Sequence, residues 1–267
     1  MRRRRAVTIG ILLCCLSVVL FCGAGSAEQA PWDCPKCGRT GITRNYCGGC
    51  GYPAPWIKLS REEFEKKGNI VKFGHYEQDN NLDNGMEEIE WIVLNVKEGK
   101  SLLISKYGLE TKSYAGVTWE TCTLRDWLNN DFLKTAFTEE EQSSILMTTV
   151  DNGKNQGYKG YDTSGGNDTH DKLFLLSYHE AFVLYFKSNE ARKCAPTSYA
   201  EAHGAYMNNK HMVDGRGAGW WWLRSPGNYQ YNAMYVSYSG SHSRDSVEYP
   251  TGCVRPALWI NLESDIF

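Results

Sequence analysis

Two Cys-x-x-Cys-Gly turns, Cys34-Pro35-Lys36-Cys37-Gly38 and Cys47-Gly48-Gly49-Cys50-Gly51, stand nine residues apart and constrain the chain more tightly than any other feature. Each turn brings two thiolates to one side of a tetrahedral ion, and the trailing glycine lets the backbone fold back toward sulfur. Two such knuckles close a four-sulfur site with no vacant position, so the implied cofactor is a structural zinc ion held by Cys34, Cys37, Cys47 and Cys50. The stretch from Ala30 to Pro55 has little else to bury beyond Trp32, Ile42, Tyr46 and Tyr52. Zinc binding, worth on the order of 10 kcal/mol, supplies the folding free energy that so small a core lacks. Two disulfides are the competing reading, and an oxidising exterior favours them.

Such an exterior is what the N-terminus implies. Arg2 to Arg5 precede an uncharged stretch from Ala6 to Ala27, ending in Ala24-Gly25-Ser26-Ala27. A basic start, an apolar middle and small residues at the end are the parts of a signal peptide, with cleavage expected after Ala27. An uncleaved anchor is the alternative, though the apolar run is at the short limit for crossing a bilayer. Removing residues 1 to 27 takes Lys plus Arg from 29 to 25 against 31 acidic residues, a formal charge of -6. A mildly acidic chain leaves no basic patch to displace counterions from a phosphate backbone, so nucleic acid is not an expected partner.

Beyond the knuckles, Ser60-Arg61-Glu62-Glu63 predicts a capping box on a short helix ended by Gly68, which reads as a linker. Strands are predicted at Ile70 to Gly74, Ile89 to Leu94 and Leu102 to Ser105. Leu124, Trp127, Leu128 and Phe132 recur at helical spacing, and Thr138-Glu139-Glu140-Glu141 opens a second helix. The Gly-, Asn- and Asp-rich stretch from Asp151 to Asp171 predicts a loop or irregular hairpin; Asp162, Asn167, Asp168 and Asp171 match no calcium-ligand spacing. Further helices are expected after Ser177 and near Thr197, and strands dominate from Trp220 onward. The pattern is that of an α+β domain.

Trp220, Trp221 and Trp222 cannot share one side of a strand, so either Trp221 or its neighbours must meet another layer or a ligand. Tyr229, Tyr231, Asn232, Tyr235, Tyr238, His242 and Arg244 crowd the turns that follow. Together with Trp221 they form the expected ligand-binding set: tyrosines offer rigid contact area, and asparagine and arginine offer hydrogen bonds. A sheet face whose tyrosines simply cover the core is the alternative. Arg224 and Arg255 lie inside apolar strands, where a buried guanidinium has to be paired or stacked. Catalytic motifs such as Gly-x-Ser-x-Gly, His-Glu-x-x-His and a phosphate loop are absent, and the histidines are dispersed.

The frame Trp221-Trp222-Leu223-Arg224-Ser225-Pro226-Gly227, followed by Gly252-Cys253-Val254-Arg255-Pro256-Ala257-Leu258, resembles the bacterial family known as domain of unknown function 6273. So do Val71 to Gly74, Glu90 to Leu94 and Leu124 to Asn129, over a span from Ile70 to Leu262; Cys253 departs from an expected Gly-Val-Arg-Pro. That family looks like a distant relative of C-type-lectin-like folds, which support ligand binding and also the formylglycine-generating oxidases. The knuckle segment is similar to short bacterial zinc ribbons. The organisation expected is therefore a signal peptide (1–27), a zinc ribbon (31–55), a linker with a short helix (56–69) and a lectin-like domain (70–265). The function implied is an extracytoplasmic module, secreted or membrane-anchored only through an uncleaved leader, recognising a glycan or protein. An oxidase-like enzyme, for which Cys253 and the distant Cys194 are a poor pair, and a structural surface-assembly protein are the alternatives.

Overall fold

Three strands predicted from the sequence form one antiparallel meander: β1 (Ile70–Tyr76), β2 (Glu87–Lys97) and β3 (Lys100–Ser105). Lys97 faces Lys100 across Glu98 and Gly99, whose φ values of 52° and 69° give the two-residue turn that suits hairpin twist. The computed structural model of the chain describes residues 30–34, 37–44, 47–49, 54 and 58–267. The leader read from residues 1–27 and the fourth knuckle cysteine, Cys50, lie outside them.

Short β4 (Glu110–Thr111) follows the meander. β5 (Thr148–Val150) and β6 (Thr169–Asp171) pair across the Gly/Asn/Asp-rich stretch as the expected irregular hairpin, and β7 (Leu173–Phe174) comes directly after. β8 (Asn208–Val213) and β9 (Arg216–Ala218) form another small pair. The last third holds β10 (Trp221–Pro226), β11 (Asn232–Val236), β12 (His242–Ser246), β13 (Cys253–Val254) and β14 (Ala257–Asn261). Two five-stranded sheets result, ordered β1-β2-β3-β14-β7 and β12-β11-β10-β13-β4. The architecture is α+β, mostly sheet, with a few short helices.

Those helices follow their local signals except at Ser60. Thr138 Oγ1 accepts the Glu141 N–H at 3.1 Å while Glu141 accepts the Thr138 N–H at 2.8 Å, the capping box expected there. The run Thr123–Trp127, a π turn over Leu128–Phe132, and Leu133–Ala136 carry the predicted apolar stripe. Its cap is Cys122, whose sulfur accepts the Arg125 N–H at 3.4 Å. At Ser60 the box does not close, because Glu63 accepts instead from the Asn69 amide at 2.9 Å. In the described part of the segment expected as a linker (56–69), Phe64 is buried against Phe267 at 5.0 Å, and the Leu59 N–H donates to Ile266 O. One aromatic at the right helical position was enough to dock this segment on the main core.

Trp220, Trp221 and Trp222 are all buried. Both faces of β10 are covered, so neither side needs a ligand. Trp220 and Trp222 pack with Tyr235 and Tyr114, and a side chain on Gly252 would strike both indoles at 2.5 Å. Trp221 faces the other way, donates its indole N–H to Arg192 O at 3.0 Å and lies under Arg255.

Arg255 sits where the chain leaves β13 of one sheet for β14 of the other. Its Nε–H donates to Ser105 O at the end of β3, 2.8 Å away, and its guanidinium stacks on Trp221 at 4.9 Å and Phe186 at 5.4 Å. Carbonyl oxygen and ring faces thus offset part of the cost of a cation that is 1% exposed and whose Nη1 has no hydrogen-bond partner among the described residues. Arg255→Lys keeps the charge but loses the planar stack and the fixed donor, so unfolding free energy measured in urea should drop by about 2 kcal/mol or more.

Candidate functional site

Gly227 to Tyr231 form the turn between β10 and β11, held by Gly227 N–H to Asn232 O at 2.7 Å and Asn232 N–H to Tyr229 O at 3.0 Å. Two residues apart, Tyr229 and Tyr231 leave the turn on the same side and stack on each other, rings 5.4 Å apart and 7° from parallel. They are 56% and 58% exposed. Between them Gln230 reaches back, donating to Val117 O and Ser164 O at 3.1 and 3.2 Å. Asn228 Oδ1 accepts from Arg244 Nε at 2.6 Å and from Asn232 Nδ2 at 3.2 Å. The Arg244 guanidinium in turn lies 5.6 Å over the Tyr161 ring. Tyr229, Tyr231, Asn232 and Arg244 therefore share one face.

The other sequence candidates do not join it. Trp221, expected on the ligand face, is a correction: it is wholly buried, because the opposite side of β10 is roofed by Arg255 and Phe186. Tyr235 pairs with Ser243, whereas His242 and Arg244 pair with Val236 and Met234, so strand alternation puts Tyr235 on the far face against Trp220. Tyr238 lies at the β11–β12 loop beside Tyr206 and His211. His242 is half-buried under the face among Tyr158, Tyr178 and Phe182, at 4.9 to 5.6 Å. Burial, with Arg192 and Arg244 adding to it, holds its imidazole below the usual histidine range.

Sequence reasoning missed the second wall of this face. Tyr158 and Tyr161 come from the stretch read as a loop, and their spacing in an otherwise polar segment was the available signal. The acidic residues nearby have separate tasks. Asp171 is buried and accepts from Trp119, Arg125 and Thr169 at 2.9, 2.7 and 2.7 Å; Asp168 takes the Asn152 N–H; Asp162 pairs with Lys154. Arg224 forms an ion pair with Glu180 and also donates to Leu175 O and Asp151 O.

The sulfurs of Cys34, Cys37 and Cys47 lie within 4.8 Å of one another, with Cys37 and Cys47 3.5 Å apart. Tetrahedral ligands at about 2.3 Å from zinc sit about 3.8 Å from each other, so this spacing fits such an ion. The knuckle is shaped by Gly38 N–H to Cys34 O at 2.9 Å, Cys34 N–H to Arg39 O at 2.8 Å and a Trp32–Ile42 bridge. Glu77, Asp79 and Glu87 make one further close group, engaged with the N–H groups of Asn81, Gln78 and Asp79. Cys122, Cys194 and Cys253 are buried. Burial pushes the Cys122 thiol up to about 12 and raises Cys194 and Cys253, which flank Gly219. Thiols held protonated in the interior act as small packing groups. Among the described residues no helix is long and apolar enough to cross a membrane.

Because the folded protein resists protonating His242 while the unfolded chain does so near its ordinary value, this residue removes stability as pH falls below about 6.5. His242→Gln should narrow the difference in melting temperature between pH 7.5 and pH 5.5, measured by differential scanning calorimetry.

The profile of the domain of unknown function (DUF6273) matches residues 98–262, which starts at the β2–β3 turn and is narrower than the span read from the sequence. No curated protein and no solved structure matches the chain. The matched part takes in both sheets' closing strands, the Trp221 frame, Arg255 and the tyrosine face, and it covers more than half of the sequence; the chain belongs to the DUF6273 family.

Proposed function

We propose that this chain is an extracytoplasmic binding module that recognises a glycan or protein through the face of Tyr229, Tyr231, Asn232 and Arg244, carried beside a structural zinc ribbon. The observation that carries the reading is the stacked, exposed tyrosine pair. Two aromatic rings left in water forgo the burial that drives folding, and here a hydrogen-bonded turn keeps them ordered. Contact area that is already rigid loses little entropy when a partner covers it. Asn228, Asn232 and Arg244 supply polar groups at its edge. A lectin-like fold is consistent with the adjacency of the two motif strands, since Trp221 of β10 pairs with Cys253 of β13. The basic and apolar leader supports export, to the cell surface or beyond it.

The ribbon is read as metal-bound because three of its four cysteine sulfurs converge while its cluster of Trp32, Ile42 and Ala54 offers little apolar burial. Protein purified under reducing conditions should contain about one zinc per chain by atomic emission, and Cys34→Ser with Cys47→Ser should abolish it. For the face, glycan-array and pull-down binding should fall at least tenfold in Tyr229→Ala/Tyr231→Ala, with the melting temperature unchanged within about 2 °C because both rings are exposed. Binding that survives the double substitution overturns the proposed face.

A further inference from the structure

Beside the tyrosine face, two buried polar atoms lack a partner among the described residues. Asn152 is 5% exposed; its Nδ2 donates to Asn167 O at 2.9 Å, which fixes the amide orientation, and its Oδ1 accepts nothing. Arg224 is 3% exposed; Nη1 and Nη2 are taken by Glu180, Leu175 O and Asp151 O, and Nε has no acceptor. In a guanidinium Nε and Nη2 share one edge, and Nη2 points at Asp151 O, so the unpaired Nε–H looks toward the 151–152 corner. Both residues line a cavity of about 10 Å³ walled by Gln156, Ser225 and Pro226. A second of about 10 Å³ shares Asn152, Gly157 and Pro226 and continues to Tyr158, Tyr161 and Thr163. Tyr161 is the ring under Arg244, so this notch opens onto the proposed recognition face.

A native interior leaves few buried donors or acceptors unmatched, and an unmatched acceptor and donor on two residues that line one small cavity define what would complement them. The group must donate to the Asn152 oxygen and accept from the Arg224 N–H. A carboxylate only accepts and an ammonium only donates; a hydroxyl does both. The volume, about that of one water, admits a single hydroxyl and excludes an acetamido or carboxylate group. We propose that the notch is a specificity subsite that takes one hydroxyl of a polyhydroxylated ligand, making the partner of the tyrosine face a glycan. This rests on the reading of that face as a recognition surface.

The Nε–H of arginine is visible in ¹⁵N–¹H spectra, so the full chain can be titrated with methyl β-D-glucopyranoside, methyl β-D-galactopyranoside and methyl α-D-mannopyranoside, and with acetate and methylammonium as controls. At least one glycoside should shift the Arg224 Nε–H and Asn152 Nδ2 signals while the controls do not. Gly157 lines both cavities, has φ of −89°, and would accept a Cβ with nothing nearer than Lys154 O at 3.6 Å. Gly157→Ala should therefore leave the melting temperature unchanged and weaken the glycoside shift at least tenfold. If no glycoside moves these signals, or acetate moves them equally, the notch holds an ordered water only and the proposal is overturned. Glycan binding that needs Tyr229 and Tyr231 yet ignores Gly157→Ala sinks the subsite and leaves the face standing. Glycoside shifts at Arg224 that persist in Tyr229→Ala/Tyr231→Ala, with no change in oligosaccharide affinity, uphold the subsite and sink the face.

Discussion

A single buried cation joins the two sheets. Arg255 occupies the crossing from β13 to β14, donates to the end of β3 and stacks between Trp221 and Phe186. An unpaired charge in the interior costs far more than a neutral group of the same size, so the carbonyl and both rings must be in place together. That requirement fixes the position of β10 relative to β3, and with it the turn after β10 that presents the tyrosine pair. Gly252 belongs to the same arrangement, since any side chain there would collide with Trp220 and Trp222.

A second buried cation, Arg224, secures the opposite wall. It gathers the backbone of Asp151 and Leu175 and the carboxylate of Glu180, whose own position is set by a capping box with Ser177. The stretch from Asn152 to Gly165 is consequently anchored at its root while its outer residues meet Gln230 and Arg244. The tyrosine face draws on both walls: tyrosines from a strand turn on one side, and a loop with a small polar notch on the other.

Much of this fold was legible in the residues. β1, β2 and β3 followed from apolar runs, and the Thr138 box from four consecutive residues, because these signals are local. The docking of Phe64 was not legible, since a lone aromatic in a charged helix says nothing about where its partner lies. Of the candidate face, Tyr229, Tyr231, Asn232 and Arg244 do come together, while Tyr235 is turned to the far side by a strand register that no local pattern specifies, and His242, on the same side of β12 as Arg244, is half-buried among Tyr158, Tyr178 and Phe182. Strand alternation requires Trp221 or its neighbours to meet either another layer or a ligand, and the residues alone do not say which. Two layers of the protein's own side chains cover the strand.

The sequence by itself determined the knuckle spacing, the basic and apolar N-terminal stretch, the α+β character and the family frame around Arg224 and Arg255, since each is written in neighbouring residues or in composition. Only the tertiary structure decided which tyrosines stay in water, that Cys194 and Cys253 flank Gly219 in the core, and that Asn152 and Arg224 meet at one notch. Residues 152 and 224 are far apart in the chain, and only long-range packing can bring two residues, one with an unmatched acceptor and one with an unmatched donor, to the wall of the same cavity.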